Sequence, residues 1–176
     1  GYFGHQWELY AFWTLVPALV LLSGLATPGS TTLSGLSFAI IGIGALGCIL
    51  GGWWSQHIGS ARVAATALAL SAMCCAVFPF SMNWPAWIKI GLLFLWGASV
   101  VADSPHFSAL SARACAPEIV GSALAFQNSI GFAITMPSMQ LATAWIGAWG
   151  TDIAWLLLPG PLLGLLGLYP LWRRPA

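Results

Sequence analysis

The sequence predicts an all-α membrane protein, a bundle of six transmembrane helices spanning residues 1–176. Three observations predict it. Hydrophobic runs, five plain and one shorter with polar tips, fill nearly all of the 176-residue chain, and a hydrocarbon core of roughly 30 Å takes about 20 helical residues per crossing. Hydrophobic residues make up 59% of the chain and charged residues 5%, with a mean hydropathy of +0.87. A soluble domain would carry about a quarter charged residues, so nothing remains here to build one. Finally, the runs are parted by helix-breaking residues, and the alternating segments of about ten residues that mark a transmembrane barrel are absent.

The expected crossings are 5–25, 31–54, 62–82, 86–111, 118–144 and 152–172. The first holds His5 and Glu8 and ends before the turn Thr27-Pro28-Gly29-Ser30. The second carries Gly42, Gly44, Gly47 and Gly51, small positions that let another helix approach closely. Gly59-Ser60 breaks the pattern before the third, which has no ionisable residue between Ala64 and Phe80. After Asn83-Trp84-Pro85 comes the fourth, with Ser99, Asp103 and His106 on one stripe with Trp96 and Arg113, bent by Pro105. Pro117 suits the first position of the fifth. That helix contains Gln127, Asn128, Ser129, Thr135, Ser138 and Gln140, with Gly131 and Pro137 to loosen it. Gly147 to Gly150 leads to the sixth, free of ionisable residues from Trp155 to Trp172. The charge-free third and sixth are expected to face lipid all round.

Orientation follows from the basic residues. Arg62, Arg113, Arg173 and Arg174 flank connections on one side and Lys89 sits near the other, which makes the arginine side cytoplasmic. An even number of crossings then leaves both termini in the cytoplasm. Trp53, Trp54, Trp84, Trp87, Trp145, Trp149 and Trp172 cluster near run ends, the depth of the headgroups. The chain starts at Gly1, without the basic segment and cleavage site of a signal peptide, and reads as cut from something longer.

Composition excludes several partners. A net charge of +1 without a run of Lys or Arg offers no footprint for nucleic acid and no polybasic arm for anionic lipid. Cys48, Cys74, Cys75 and Cys115 lie in or beside apolar runs without zinc-site spacing, so they read as packing residues. Asp103 and His106 supply two ligands and no further pair is spaced to complete a set. No metal and no cofactor is expected.

Glu8 and Asp103 stand where an acid costs about 2.5–3.5 kcal/mol on insertion scales, and such groups mark substrate, ion or proton pathways. His5 is three residues before Glu8 and His106 three after Asp103, so each acid shares a helix face with an imidazole. An acid beside an imidazole can relay protons near neutral pH. His5, Glu8, Ser99, Asp103, His106, Gln127 and Asn128 are therefore the candidate substrate and proton pathway. Gln127 and Asn128 serve equally well as hydrogen-bonded ties between helices.

The link Gly52-Trp53-Trp54-Ser55-Gln56-His57-Ile58-Gly59-Ser60-Ala61-Arg62 resembles the signature loop of the major facilitator superfamily. Gly52, His57, Gly59 and Arg62 match in kind, as a gating loop; Gln56 replaces the acid, and Ser60 and Ala61 replace basic residues. Gly1 to Trp13 is similar to the seventh helix of bacterial members loosely grouped with nitrate and nitrite porters, and Ala102 to Thr135 to their tenth and eleventh. The glycine-rich asparagine motif of true nitrate porters is missing.

The resemblance spans the whole chain as helices seven to twelve, a carboxy-terminal half. It implies that the first and fourth helices line a central cavity, that the third and sixth are peripheral, and that the second and fifth meet the other half. The implied function is secondary active transport of a small molecule or ion by alternating access. The implied partners are the lipid bilayer and a missing amino-terminal six-helix half or second copy, in a cell membrane of the bacterial inner type. The other class is a non-transporting or self-associating six-helix fragment. An intramembrane protease of the rhomboid kind needs Gly-x-Ser-Gly, and Gly97-Ala98-Ser99-Val100 lacks the last glycine, so no enzyme is expected.

Overall fold

A computed structural model describes residues 1–172; Arg173 and Arg174, on which part of the orientation reading rests, lie outside the described residues, as does the side chain of Trp172. Among the described residues the regular structure is all helical. The elements are α1 (Tyr2–Leu22), α2 (Thr31–Ile58), α3 (Ser60–Val77), α4 (Ala86–Ala102), α5 (Ser104–Ala114), α6 (Val120–Trp149), α7 (Ala154–Leu157) and α8 (Pro159–Trp172), with 3-10 turns at Phe78–Asn83, Pro117–Ile119 and Gly150–Ile153. Four stretches are long and apolar enough to cross a membrane: Thr31–Ile58, Ser60–Asn83, Ala86–Ala114 and Pro117–Leu171. The last is a hairpin, because Gly150 takes φ 55° and the chain beyond it runs back along α1, Trp7 Nε1 donating to Leu156 O at 2.9 Å. With 21 residues, α1 is long enough but diluted by His5, Gln6 and Glu8, and it is absent from that set of four.

Burial explains how α1 carries those residues. It runs through the centre of the molecule, where Phe12, Leu15, Val16, Leu19 and Val20 pack with Ile40, Phe78, Leu93, Trp96, Ile153 and Leu157. The rings of Phe12 and Trp96 lie 4.7 Å apart and those of Phe78 and Trp96 5.7 Å. Its neighbours, and not lipid, solvate its polar face.

Several boundaries differ from expectation: the fifth helix runs to Trp149 and not 144, the sixth is divided into α7 and α8, and two further differences have local causes. Ser30 caps α2, its Oγ accepting the Leu33 N–H at 3.2 Å, but the helix continues past residue 54 to Ile58 because nothing between Gly52 and Ile58 breaks it. The expected link over 52–62 is one residue, Gly59, at φ 87°; Gly52 and His57 belong to α2 and Arg62 to α3. The expected fourth helix is two, parted at Asp103.

The lipid-facing role expected of the third helix is overturned. Of its most apolar stretch 56% is buried, against 22% for α2, so α3 is an inner helix and α2 an outer one. Lack of charge did not distinguish lipid from protein as a neighbour; Ala64, Ala65, Ala67, Ser71 and Ala72 are small enough to let other helices close over α3. On the sixth stretch Leu162, Leu163 and Leu166 face outward while Gly160 and Gly164 pack on Gly4, Trp7 and Leu68. It is therefore lipid-facing on one side only. Gly44, Gly47 and Gly51 of α2 pack within the chain, a Cβ on Gly44 standing 2.7 Å from Val101 and one on Gly47 striking the Ala98 carbonyl, whereas Gly42 has open space beside it.

Candidate functional site

Glu8 is fully enclosed and serves three helices at once. Its Oε1 accepts from Ser71 Oγ at 2.5 Å, Trp96 Nε1 at 2.8 Å and Cys75 Sγ at 3.2 Å. Ser71 and Cys75 are one turn apart on α3 and Trp96 comes from α4, so the carboxyl ties α1 to both. A buried acid is tolerated when donors fill its lone pairs, and here all three recorded donors converge on one oxygen.

The imidazole that meets the second acid is not the one expected. His5 Nδ1 of α1 lies 2.8 Å from Asp103 Oδ1, at ion-pair distance without the alignment of a hydrogen bond. Both residues are buried. His5 and Glu8 share one face of α1, so a single helix presents an imidazole to the break between α4 and α5 and a carboxyl to α3 and α4. His106, also buried, keeps an Nε2 without a hydrogen-bond partner among the described residues, packed where a Cβ on Gly51 would come within 3.1 Å of it.

The break itself has a local cause. Pro105 has no N–H, which removes the helical bond to the carbonyl four residues earlier, that of Val101. Cys48 Sγ of α2 donates to that oxygen at 3.5 Å, and the N–H of Asp103 turns in to it as well. Asp103 stands at the N-cap of α5 without capping it through its side chain, which leaves the carboxylate for His5.

The remaining candidates are dispersed. Ser99 Oγ donates back to Trp96 O at 3.1 Å and borders an apolar cavity of about 340 Å³ among α2, α3 and α4. Gln127 Oε1 accepts from Ser111 Oγ at 2.5 Å and its Nε2 is buried without a hydrogen-bond partner among the described residues. Asn128 Oδ1 accepts from Tyr2 OH at 2.8 Å, and Gln6 Nε2 donates to the same hydroxyl, so these amides tie α1 to α6. Gly52, His57, Gly59 and Arg62 make no hydrogen bond or ion pair to the buried acids among the described residues; His57 Nδ1 lies 3.2 Å from Trp53 O.

Sequence reasoning missed Ser71, Cys75 and Cys48 as partners. The signal for the first two was their spacing: a hydroxyl and a thiol at i and i+4 on an alanine-rich helix form a polar stripe that needs an acceptor. Among the described residues no group of three or more His, Cys, Asp or Glu is arranged to hold a metal ion. The arrangement can hold and move protons: two carboxyls and two imidazoles, all buried, lie on α1 and beside the α4–α5 break. Comparisons with family models, with curated proteins and with solved structures found no match.

Proposed function

We propose that the chain is the carboxy-terminal half of a secondary active transporter of small solutes, a six-crossing bundle that works by alternating access against a second bundle. One observation carries the reading: the bare face of α6, which also shows Phe126, Phe132 and Met136, carries a polar stripe. Ser122, Ser129, Gln140 and Thr143 are all exposed and, at 100° per residue, fall within an arc of about 60°. Ser129 and Thr143 return their hydroxyls to their own helix, but an amide such as that of Gln140 on a membrane-spanning helix belongs against a watery cavity or another protein, not lipid. The bare face of α8, by contrast, is Leu162, Leu163 and Leu166, which lipid suits. The buried acids on α1 and at the α4–α5 break add the groups that ion coupling needs.

Cysteines introduced one at a time at Ser129, Gln140 and Leu166, in membranes of cells expressing the chain with its missing half, test this. A water-soluble maleimide should label Ser129→Cys and Gln140→Cys and spare Leu166→Cys. Equal protection of all three, with quenching by lipid-borne spin labels at Gln140, sinks the reading in favour of a bundle that lipid surrounds on every side.

A further inference from the structure

Two buried acids in a membrane can hold a hard metal cation or a proton, and the surrounding atoms decide between them. Sodium, magnesium and calcium take a shell of oxygen ligands. Oε1 of Glu8 already faces an O–H, an S–H and an N–H, whose positive ends repel a cation. Asp103 is met by a ring nitrogen, His5 Nδ1 at 2.8 Å. Imidazole nitrogens beside a carboxylate suit a proton and are poor ligands for those ions.

Asp103 also stands where a change of charge has mechanical effect. The helical ladder is interrupted there by Pro105, and His5 ties α1 to that point. Pairing an aspartate with a neutral imidazole leaves a net charge of −1 among buried groups; one further proton makes the pair neutral. Burying uncompensated charge is strongly unfavourable, and burying a matched pair much less so. The other titratable groups around Asp103 are Glu8 on α1, His106 on α5 and Cys48 on α2. Glu8, when ionised, sharpens the cost of the net negative state, and His106, when protonated, offsets it.

We propose that His5 and Asp103 form a proton-binding latch across the α4–α5 break. With the proton bound, the neutral pair holds α1 to the start of α5. When the proton leaves to water, one N–H bond of the His5 imidazole is broken, the net negative charge draws in water, and the start of α5 is released. The proposal rests on the transport reading in that it makes the proton the coupled ion. Its test reads the chain by itself, so the latch can fail while the transport reading stands.

Hydrogen–deuterium exchange of the chain in lipid nanodiscs, corrected for intrinsic rates, follows the amides of residues 104–114 from about pH 5 to 9, the range in which imidazole changes charge. Exchange in that segment should rise roughly tenfold in one step as pH increases, by local opening, identically in sodium and potassium buffers. Asp103→Asn and His5→Gln should each remove the step at its wild-type position, and His57→Gln, on an exposed ring, should keep it. Helicity by circular dichroism is checked for each variant, and if Asp103→Asn loses its helices, His5→Gln decides. A step that survives in a folded variant, a flat wild-type profile, or a step produced by sodium at constant pH overturns the latch.

Discussion

At the scale of single residues the two intramembrane acids have different surroundings and so different tasks. Three donors from α3 and α4 fix Glu8, whereas among the described residues the Asp103 carboxyl has one polar side-chain contact, to His5. For stability, Glu8 is expected to act through its acceptor oxygen more than through its charge. Glu8→Gln keeps an acceptor at that place and should change stability by no more than about 1 kcal/mol, while Glu8→Ala strands a hydroxyl, a thiol and an indole N–H and should cost about 3 kcal/mol. Reversible unfolding in mixed detergent micelles measures both; a glutamine variant as unstable as the alanine variant would show that the charge itself is needed. The sequence made both acids legible as anomalies, because an acid in an apolar run is conspicuous. It set each beside the imidazole three residues away on its own helix, and it did not show the contact between helices, His5 with Asp103, for a physical reason. Neighbours along a helix can be counted, but which face of α1 meets which face of α3 or α4 is set by packing over the whole bundle. The contact of His5 with Asp103 therefore left no local trace, and that of Glu8 with Ser71 left only the spacing of Ser71 and Cys75 on α3, which asks for an acceptor without naming it.

At the scale of elements, the α4–α5 break depends on a helix that precedes it in the chain. Pro105 deprives the Val101 carbonyl of its helical donor, and Cys48, brought close by the glycine face of α2, donates in its place. The two residues should be energetically coupled. Cys48→Ala should cost roughly 1 kcal/mol in the wild-type background, including a packing part that any thiol deletion carries. With Pro105→Ala the N–H of residue 105 is restored, Val101 regains its own donor, and the hydrogen-bonding part of the Cys48 penalty should vanish, leaving a coupling of about 0.5 kcal/mol in a double-mutant cycle. Strictly additive penalties in the same unfolding assay would mean that the thiol only fills space. Pro105 made the bend readable in the sequence, whereas the role of Cys48 was hidden because a half-buried thiol in an apolar run reads as packing. The long reach of α2 was likewise hidden. Trp53, Trp54, Ser55, Gln56 and His57 look like a polar link, yet none of them stops a helix, and only Gly59 does.

At the scale of the whole molecule the hydropathy pattern carried the all-helical class and most of the helix positions, because bilayer thickness dictates run length. What it could not carry was which helices lie inside. The helix that carries His5 and Glu8, α1, is central and α3, charge-free beyond Arg62, is enclosed, since protein neighbours can satisfy polar groups that lipid cannot. The arrangement also bears on orientation in a membrane. Lys89 Nζ donates to Ser23 O at 2.6 Å and to Met82 O at 3.4 Å, so its charge is engaged locally at the carboxyl end of α1, where a helix favours a cation. Arg62 and Arg113 are exposed and lie toward the opposite end, where Phe107 packs near Gly1. With the single lysine committed, the free positive charge among the described residues falls on one side, and we propose from the positive-inside rule that this side is cytoplasmic. In a Cys115→Ser background, an impermeant thiol reagent added to intact cells should therefore label cysteines introduced at Gly29 and Asp152. It should reach His57→Cys and Glu118→Cys only after the membrane is opened, since all four positions are exposed and accessibility reports sidedness alone. Labelling of His57→Cys and Glu118→Cys in intact cells, with Gly29→Cys and Asp152→Cys protected, would invert the protein in the membrane. The His5–Asp103 pair, near the arginine end of α1, would then exchange its proton with the outside.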